Sequence, residues 1–295
     1  MRITESIISR GTQQYISSNA EKVYRNQETI STGKRVNRPS DDPAAMAQIL
    51  EFRKTIASID QYSRNIGNAQ SELNLAESNL AHVGDLMTRA KELLLAQVGD
   101  TASADTRKIA AEEMKQIRDE VMQVANTKVG NRYLFGGTQT SLPPYDAASD
   151  SPEYQGNDGS IQTMIAPGVA MATSPNGKSA FTKDDLDTVK LLTDMMNALN
   201  ANDTQTINDN LGKVDQAMNL AIDARADVGT KLNRLDTTAS HWDTVKLNLT
   251  QGLSNIEDAD MTEAISQLNN WQTAYQASLS VSSKVFQQSL VDFLR

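Results

Sequence analysis

The chain has 295 residues, a mass of 32.2 kDa and only 5% aromatic residues, so a single large globular core is not expected. Its net charge of −9 would repel the phosphate backbone of a nucleic acid, and no stretch approaches the ~20 apolar residues of a membrane span. We therefore expect neither a nucleic acid nor a membrane as a partner. The absence of cysteine excludes disulfides and thiolate metal sites.

The N-terminal segment predicts a coiled-coil helix and then a second helix start. Met1–Glu5 lacks the apolar segment of a cleaved signal peptide, so any export is expected to use another route. Residues spaced by three and four positions follow, namely Ile16, Ala20, Val23, Gln27 and Ile30. Asp41-Asp42-Pro43 could suggest a cation site, but an acidic N-cap before a proline at the first helical position explains it better.

Long heptad patterns dominate the middle of the chain. The longest runs from Ile207 to Ile256 in alternating steps of three and four residues. At ~1.5 Å per residue it gives a helix of about 75 Å, which must lie along a partner helix. The candidate partner runs from Pro43 to about Gln97, and shorter helices are predicted around residues 110–124 and 183–199. The predicted seam of this partner consists of Ile49, Phe52, Ile56, Ile59, Ser63, Ile66, Ala69, Leu73, Ala76, Leu80, Val83, Met87, Ala90 and Leu94.

Residues 131–182 interrupt the helical pattern, because most of the chain's prolines fall there. Tyr154-Gln155 and Ile161–Ile165 flank Asn157-Asp158-Gly159, which is a tight-turn sequence. We predict a small β-rich insertion with a hairpin at this turn. Since the heptads lie outside the segment, we expect the insertion to contribute little to the bundle, so that replacing residues 140–178 with a short Gly/Ser linker would leave the melting temperature nearly unchanged.

The closing segment predicts another coiled-coil helix. Asp260 and Glu263 resemble a capping box that opens it. The seams of the first and last helices are diluted with Gln, Ser and Ala, so this pair should gain order mainly from neighbouring subunits. The predicted assembly residues are the larger apolar residues of the two seams: Ile16, Val23, Ile30, Ile265, Leu268, Tyr275, Leu279, Phe286 and Phe293.

The sequence contains few residues in patterns that are typical of catalytic or metal sites. His82 and His241 each lack a second ligand-type residue at a diagnostic spacing. Gly177-Lys178-Ser179 resembles the end of a phosphate-binding loop, but such a loop needs glycine where Ala172 stands, and we interpret the segment as a polar turn. We predict no catalytic, cofactor-binding or metal-binding residues, and no enzyme activity.

The pattern as a whole predicts a mainly α protein, an elongated bundle of long coiled-coil helices with a small β-rich insertion. Residues 1–42 and 259–295 would form a terminal coiled-coil assembly domain. Residues 43–130 and 183–258 would form the helical bundle core, and residues 131–182 the surface insertion.

Several motifs together resemble a known family. Ile30-Ser-Thr-Gly-Lys-Arg-Val-Asn-Arg-Pro-Ser-Asp-Asp-Pro-Ala-Ala45 is similar to the N-terminal signature of the flagellin superfamily. Ala224-Arg-Ala-Asp-Val-Gly-Thr-Lys-Leu-Asn-Arg-Leu235 resembles its C-terminal core-helix signature, and Ile256–Asp260 and Gln276–Leu294 resemble its closing helix. These motifs are long and occur in the family's order, and they span both ends and most of the chain.

Three features are more similar to the hook-filament junction members of this family than to its filament subunits. They are the Met1-Arg-Ile3 start, Arg132-Tyr-Leu-Phe-Gly-Gly137 followed by Tyr154-Gln-Gly-Asn-Asp-Gly159 and by Pro167-Gly168, and the Ser289-Leu-Val-Asp-Phe-Leu294 ending. The short insertion departs from relatives that carry an extra outer domain.

The resemblance implies an extracellular structural protein of the bacterial flagellum. It implies secretion of the unfolded chain through the flagellar type III exporter, with help from an export chaperone. The protein would then assemble as a ring of like subunits between the first hook-associated protein and flagellin. A minor flagellin is the alternative within the family, a soluble signalling coiled coil is an alternative from another class, and an enzyme is a third.

Overall fold

The protein is described by a computed structural model that covers residues 2–99, 102–149 and 151–293, except for the side chains of residues 2–6, 8 and 285–293. Within these ranges, no helix is both long enough and apolar enough to span a membrane. The elements, in chain order, are α1 Arg2–Thr32, α2 Pro43–Val98, α3 Ala104–Ala125, β1 Lys128–Val129, β2 Arg132–Tyr133, β3 Gln162–Ala166, β4 Val169–Ala172, α4 Gly177–Phe181, β5 Thr182–Lys183, β6 Leu186–Asp187, α5 Thr188–Asn200, α6 Thr204–Glu257 and α7 Met261–Phe293.

The prediction of a mainly α fold with a small β-rich insertion is confirmed, and both predicted helix starts are present. The carboxylate of Asp42 accepts a hydrogen bond from the Ala45 amide at 2.9 Å, as an N-cap does. Asp260 accepts from the amides of Thr262 and Glu263 at 2.8 and 3.2 Å. The second half of that capping box is missing, because the Glu263 carboxylate accepts from Gln267 instead.

The chain forms two compact units. The terminal unit contains residues 1–58 and 244–295, and the central unit contains residues 59–243. The boundary falls within α2 and within α6. The central unit carries most of the buried apolar side chains, whereas the terminal unit has a smaller cluster centred on Val36, Ala45 and Ile49.

The core of the central unit follows the predicted heptad seams. Every predicted seam residue of α2 from Ile66 to Leu94 is at least nine-tenths buried, which confirms this part of the pattern. α6 lies along α2, as the ion pair between Arg225 and Glu77 shows at 2.5 Å. The α2 and α6 seam residues share one cluster with the buried faces of α3 and α5. The predicted partner of the longest helix is therefore correct.

Residues of the insertion pack into this same core, which argues against the expectation that the insertion contributes little to the bundle. Phe135, Tyr145, Ile165, Met171 and Phe181 are almost fully buried in the cluster formed by the helices. The Phe135 and Phe181 rings meet edge to face with centroids 5.4 Å apart. Aromatic residues outside any heptad thus supply much of the packing at this side of the core.

The hairpin lies elsewhere than predicted. Strands β3 and β4 pair in antiparallel register around Pro167-Gly168, and Gly168 has a φ of +70°. Proline followed by a glycine with positive φ is the signature of a type II turn. Asn157 forms no hairpin turn. Its side-chain oxygen instead accepts hydrogen bonds from the amides of Thr138 at 2.9 Å and Gly159 at 3.1 Å.

The segment interpreted as a polar turn is a short helix with a buried face. Asn176 caps α4 by accepting from the Ser179 amide at 3.2 Å. Gly177 packs so tightly that an added Cβ would lie 1.8 Å from the carbonyl oxygen of Phe135. A glycine is required at position 177 because two backbone segments pack closely there. This packing requirement explains why the segment resembles a phosphate-binding loop although it is not one.

Candidate functional site: the terminal helix pair

The terminal unit pairs the first and last helices of the chain in antiparallel orientation. The side-chain amide of Asn19 in α1 donates to the Ser278 hydroxyl of α7 at 2.8 Å. One turn further along α1, the Lys22 ammonium lies 3.9 Å from the centroid of the Trp271 ring. Residue numbers thus rise along α1 while those of the contacting α7 residues fall, as in an antiparallel pair.

The face of α7 that is covered in this unit mixes three large residues with three small ones. Its buried and partly buried residues include Ala264, Leu268, Trp271, Tyr275, Ser278 and Ser282, again in steps of four and three residues. Alanine and serine side chains bury little apolar area, so the pair gains less from hydrophobic burial than the α2 seam does. This agrees with the expectation of a weak, diluted seam.

The structure places the predicted assembly residues in three groups. Partly buried in the terminal unit are Ile16, Val23, Ile30, Leu268 and Tyr275. Ile265 and Leu279 are exposed, with 49% and 43% of their surface accessible to solvent. The side chains of Phe286 and Phe293 lie outside the described residues. The participation of all these residues in assembly stays a prediction.

One important contact was not predicted from the sequence, the contact between Lys22 and Trp271. The predicted α7 seam passed through Ile265 and Leu279, whereas the covered face passes through Ala264, Trp271 and Ser278. Both patterns include Leu268 and Tyr275. At the alternate positions the covered residue precedes the predicted one by a single residue. The exposed apolar side chains therefore lie to one side of the α1 contact.

The connection between α1 and α2 is held by its own charged residues. The guanidinium of Arg38 donates to both carboxylate oxygens of Glu28, at 2.9 and 3.1 Å. Arg35 donates to the carbonyl oxygen of Ile256 at 2.9 Å and lies 3.5 Å from the carboxylate of Asp42. The pKa of Asp42 is lowered, first by the hydrogen bond from the Ala45 amide and then by Arg35.

The part of the chain that the structure describes holds no cluster of metal-ligating side chains. Across residues 2–99, 102–149 and 151–293, no three His, Asp or Glu side chains converge to hold a metal ion. His82 instead contacts Glu120 at 2.8 Å between two helices, and both side chains are about half exposed.

Comparisons with known proteins agree with this picture. Residues 3–140 match the bacterial flagellin N-terminal helical region, and residues 211–294 match the bacterial flagellin C-terminal helical region. The flagellar hook-associated protein 3 of Salmonella typhimurium is 28% identical, with 100% of both chains covered. The flagellin of Bacillus subtilis is also 28% identical, over 98% of this chain and 97% of its own.

A solved structure gives the same fold. The flagellar junction protein FlgL from Legionella pneumophila superposes with a TM-score of 0.60 over 72% of this chain and 100% of its own. The two sequences are 16% identical, so the likeness concerns the fold.

Proposed function

The chain belongs to the flagellin family of flagellar structural proteins, and we propose that it is the junction protein that connects the hook to the flagellin filament. The observation that carries the proposal is the similarity to hook-associated protein 3 along the complete length of both chains. Membership in the family gives no support to the signalling coiled coil considered from the sequence. The proposed role is structural and involves no enzyme activity.

The second of the three sequence features that are similar to junction proteins also supports the proposal through its geometry. Its two halves, Arg132–Gly137 and Tyr154–Gly159, are well separated in the sequence but pack against each other in the central unit. The Tyr154 hydroxyl donates to the carbonyl oxygen of Phe135 at 2.6 Å. Gly137 has a φ of +68°, and a Cβ added there would lie 2.3 Å from the side-chain oxygen of Asn157. The motif is therefore one packed structure, and its glycines are sterically required.

The proposed partners follow from this role. The first hook-associated protein would lie on the hook side, flagellin on the filament side, and like copies of this chain beside it in a ring. The chain would be secreted unfolded through the flagellar type III exporter with help from an export chaperone, and would become part of the extracellular flagellum. The terminal pair supports such an assembly, because its covered seam is weak and Ile265 and Leu279 remain exposed.

A minor flagellin is the second candidate, since the flagellin of Bacillus subtilis is as similar in sequence as hook-associated protein 3 is. A chromosomal deletion separates the two. The junction role predicts bare hooks with full-length flagellin released into the medium, restored by the gene supplied in trans. The minor-flagellin role predicts filaments that stay attached and are at most fewer or shorter. Electron microscopy of hooks and an immunoblot of secreted flagellin decide between them.

A further inference from the structure

An irregularity in the β3–β4 hairpin presents two successive carbonyl groups to the helices of the central unit. The register of β3 against β4 shifts at Ile165, between the paired residues Met164 and Ala166. A bulge of this kind leaves backbone groups of the strand free for other partners. The side-chain amide of Asn65 donates to the carbonyl oxygen of Met164 at 2.8 Å, and the indole N–H of Trp242 donates to that of Ile165, also at 2.8 Å.

The two donors belong to different helices. Asn65 lies in α2 and Trp242 lies in α6, and the rings of Tyr62 and Trp242 stack between the same two helices with centroids 5.7 Å apart. The side chain of Ile165 is only 2% exposed and belongs to the core of the central unit. The hairpin therefore fastens α2 and α6 to the core at one level of the bundle. We call Asn65, Trp242 and the two carbonyl groups the clamp.

The clamp lies where the apolar seam of α6 has ended. Leu235 is completely buried, but among residues 236–257, all of which the structure describes, Glu257 alone is buried. Trp242 also lies next to the point where α6 leaves the central unit, which contains residues 59–243. Helices are stabilised mainly by packing of an apolar face, so a segment without one opens easily.

We propose that the clamp ends the cooperative core of the central unit, so that opening of the helix segments beyond it does not spread inward. At this level, two hydrogen bonds to fixed carbonyl groups take the place of buried apolar side chains in α6. An indole N–H enclosed by protein requires an acceptor, which makes the Trp242 contact costly to break. The clamp belongs to the central unit alone, so the inference does not depend on the junction role.

Hydrogen exchange of the full chain, followed by mass spectrometry, tests the clamp. Asn65→Ala with Trp242→Phe removes both donors and keeps an aromatic ring at position 242. We expect amide exchange in residues 59–66 and 235–243 to become faster by about tenfold or more, because these segments then open with the helices beyond them. Peptides from α3 and α5 should keep their exchange rates.

Asn68→Ala is the matched control. Asn68 is exposed on α2 one turn from Asn65, and its replacement gives the same gain in helix propensity. It should leave exchange in both segments unchanged. Equal exchange in the clamp variant and the control would overturn the proposal. A uniform increase over all helices would also overturn it, because the two hydrogen bonds would then stabilise the core as a whole without setting a boundary.

A second measurement covers a double variant that fails to fold. In a Trp271→Phe background, Trp242 is the remaining tryptophan of the sequence, and Asn65→Ala removes one donor without altering it. Acrylamide should quench the Trp242 emission more strongly in Asn65→Ala than in Asn68→Ala. Equal quenching in the two variants would count against the clamp. Bare hooks test the junction role separately, so either idea can fail alone.

Discussion

The ammonium of Lys22 and the indole of Trp271 meet across the terminal helix pair, with the nitrogen 3.9 Å from the ring centroid. A cation–π contact at a partly exposed site contributes about 0.5–1 kcal/mol. We therefore expect Lys22→Met to lower slightly the midpoint of denaturant unfolding followed by Trp271 emission. The measurement uses a Trp242→Phe background, in which Trp271 is the remaining tryptophan of the sequence. Arg25→Met, which removes an exposed cation of the same helix, serves as the control. Identical midpoints for the two variants would show that the cation–π contact contributes nothing.

Leu279 is 43% exposed in the isolated protein, so a lysine there can reach water. Leu279→Lys should change the free energy of unfolding by less than about 0.5 kcal/mol. In the assembled junction, a neighbouring subunit that covers this position would bury the charge, at a cost on the order of several kcal/mol. We expect normal secretion but bare hooks, seen by electron microscopy.

Gln276→Lys, at another exposed position of α7, is the matched control and should retain more filaments. Attached filaments of ordinary length on cells with Leu279→Lys as the sole copy would show that the junction does not bury this position.

Tyr145 tests how far the insertion supports the bundle. It is fully buried, and its hydroxyl donates to the carboxylate of Asp187 at 3.1 Å. Tyr145→Phe should cost about 1 kcal/mol through the lost hydrogen bond, and Tyr145→Ala about 3–5 kcal/mol through the cavity. Leu142→Ala, at a position that is 61% exposed, should be neutral. Thermal unfolding followed by circular dichroism measures all three, and an unaffected Tyr145→Ala would show that the insertion is dispensable.

Gly177 and Gly84 differ in the space around them. A Cβ at Gly177 would overlap the carbonyl oxygen of Phe135, whereas a Cβ at Gly84 in α2 meets no atom within 4 Å. Gly177→Ala should therefore lower the melting temperature, because a backbone segment must move. Gly84→Ala should raise stability by about 0.5–1 kcal/mol, because alanine favours the helix. Equal effects of the two substitutions would rule out the steric explanation.

The carboxylate of Asp187 caps α5 by accepting from the amides of Val189 and Lys190 at 2.9 and 3.1 Å. Burial nevertheless raises its pKa above the ordinary value of 3.8. The folded protein thus binds this proton more tightly than the unfolded chain. The contribution to stability is fully present below the unfolded pKa and is lost as the pH rises through the folded pKa.

Asp187→Asn keeps the capping oxygen and removes the charge. At about pH 7 the variant should be at least as stable as the wild type, and this advantage should shrink at about pH 4. Asp187→Ala loses the cap and should cost about 1 kcal/mol at either pH. Denaturant unfolding at the two pH values provides the comparison. An advantage of Asp187→Asn that grows on acidification would contradict the raised pKa.

The sequence was most informative where strong apolar periodicity and burial coincide. The α2 seam from Ile66 to Leu94 could be predicted because apolar residues occupy almost every seam position and face one core. In α7, Ile265 and Leu279 are more apolar than Ala264 and Ser278, so the pattern favoured the exposed positions. A prediction from periodicity assigns apolar residues to the buried face of a helix. It is wrong where the helix exposes apolar residues, as α7 does at Ile265 and Leu279.

The insertion could be predicted only as a zone without helices. Asn157-Asp158-Gly159 and Pro167-Gly168 are both good turn sequences. Which of them joins two strands depends on the docking of Asn157 against Thr138, a contact between segments 19 residues apart. The burial of Tyr145 and Phe181 is likewise set by tertiary packing, for which the local sequence carries no periodic signal.

The helices α1 and α7 pair in antiparallel orientation. The helix ends at Arg2 and Phe293 lie at the same end of the pair. A fluorescent label attached at either of these helix ends therefore lies at the same end of the pair, on the helices proposed to contact neighbouring subunits. The loop around Leu142, whose side chain is 61% exposed, is the better position for a label meant to image this protein within a working flagellum.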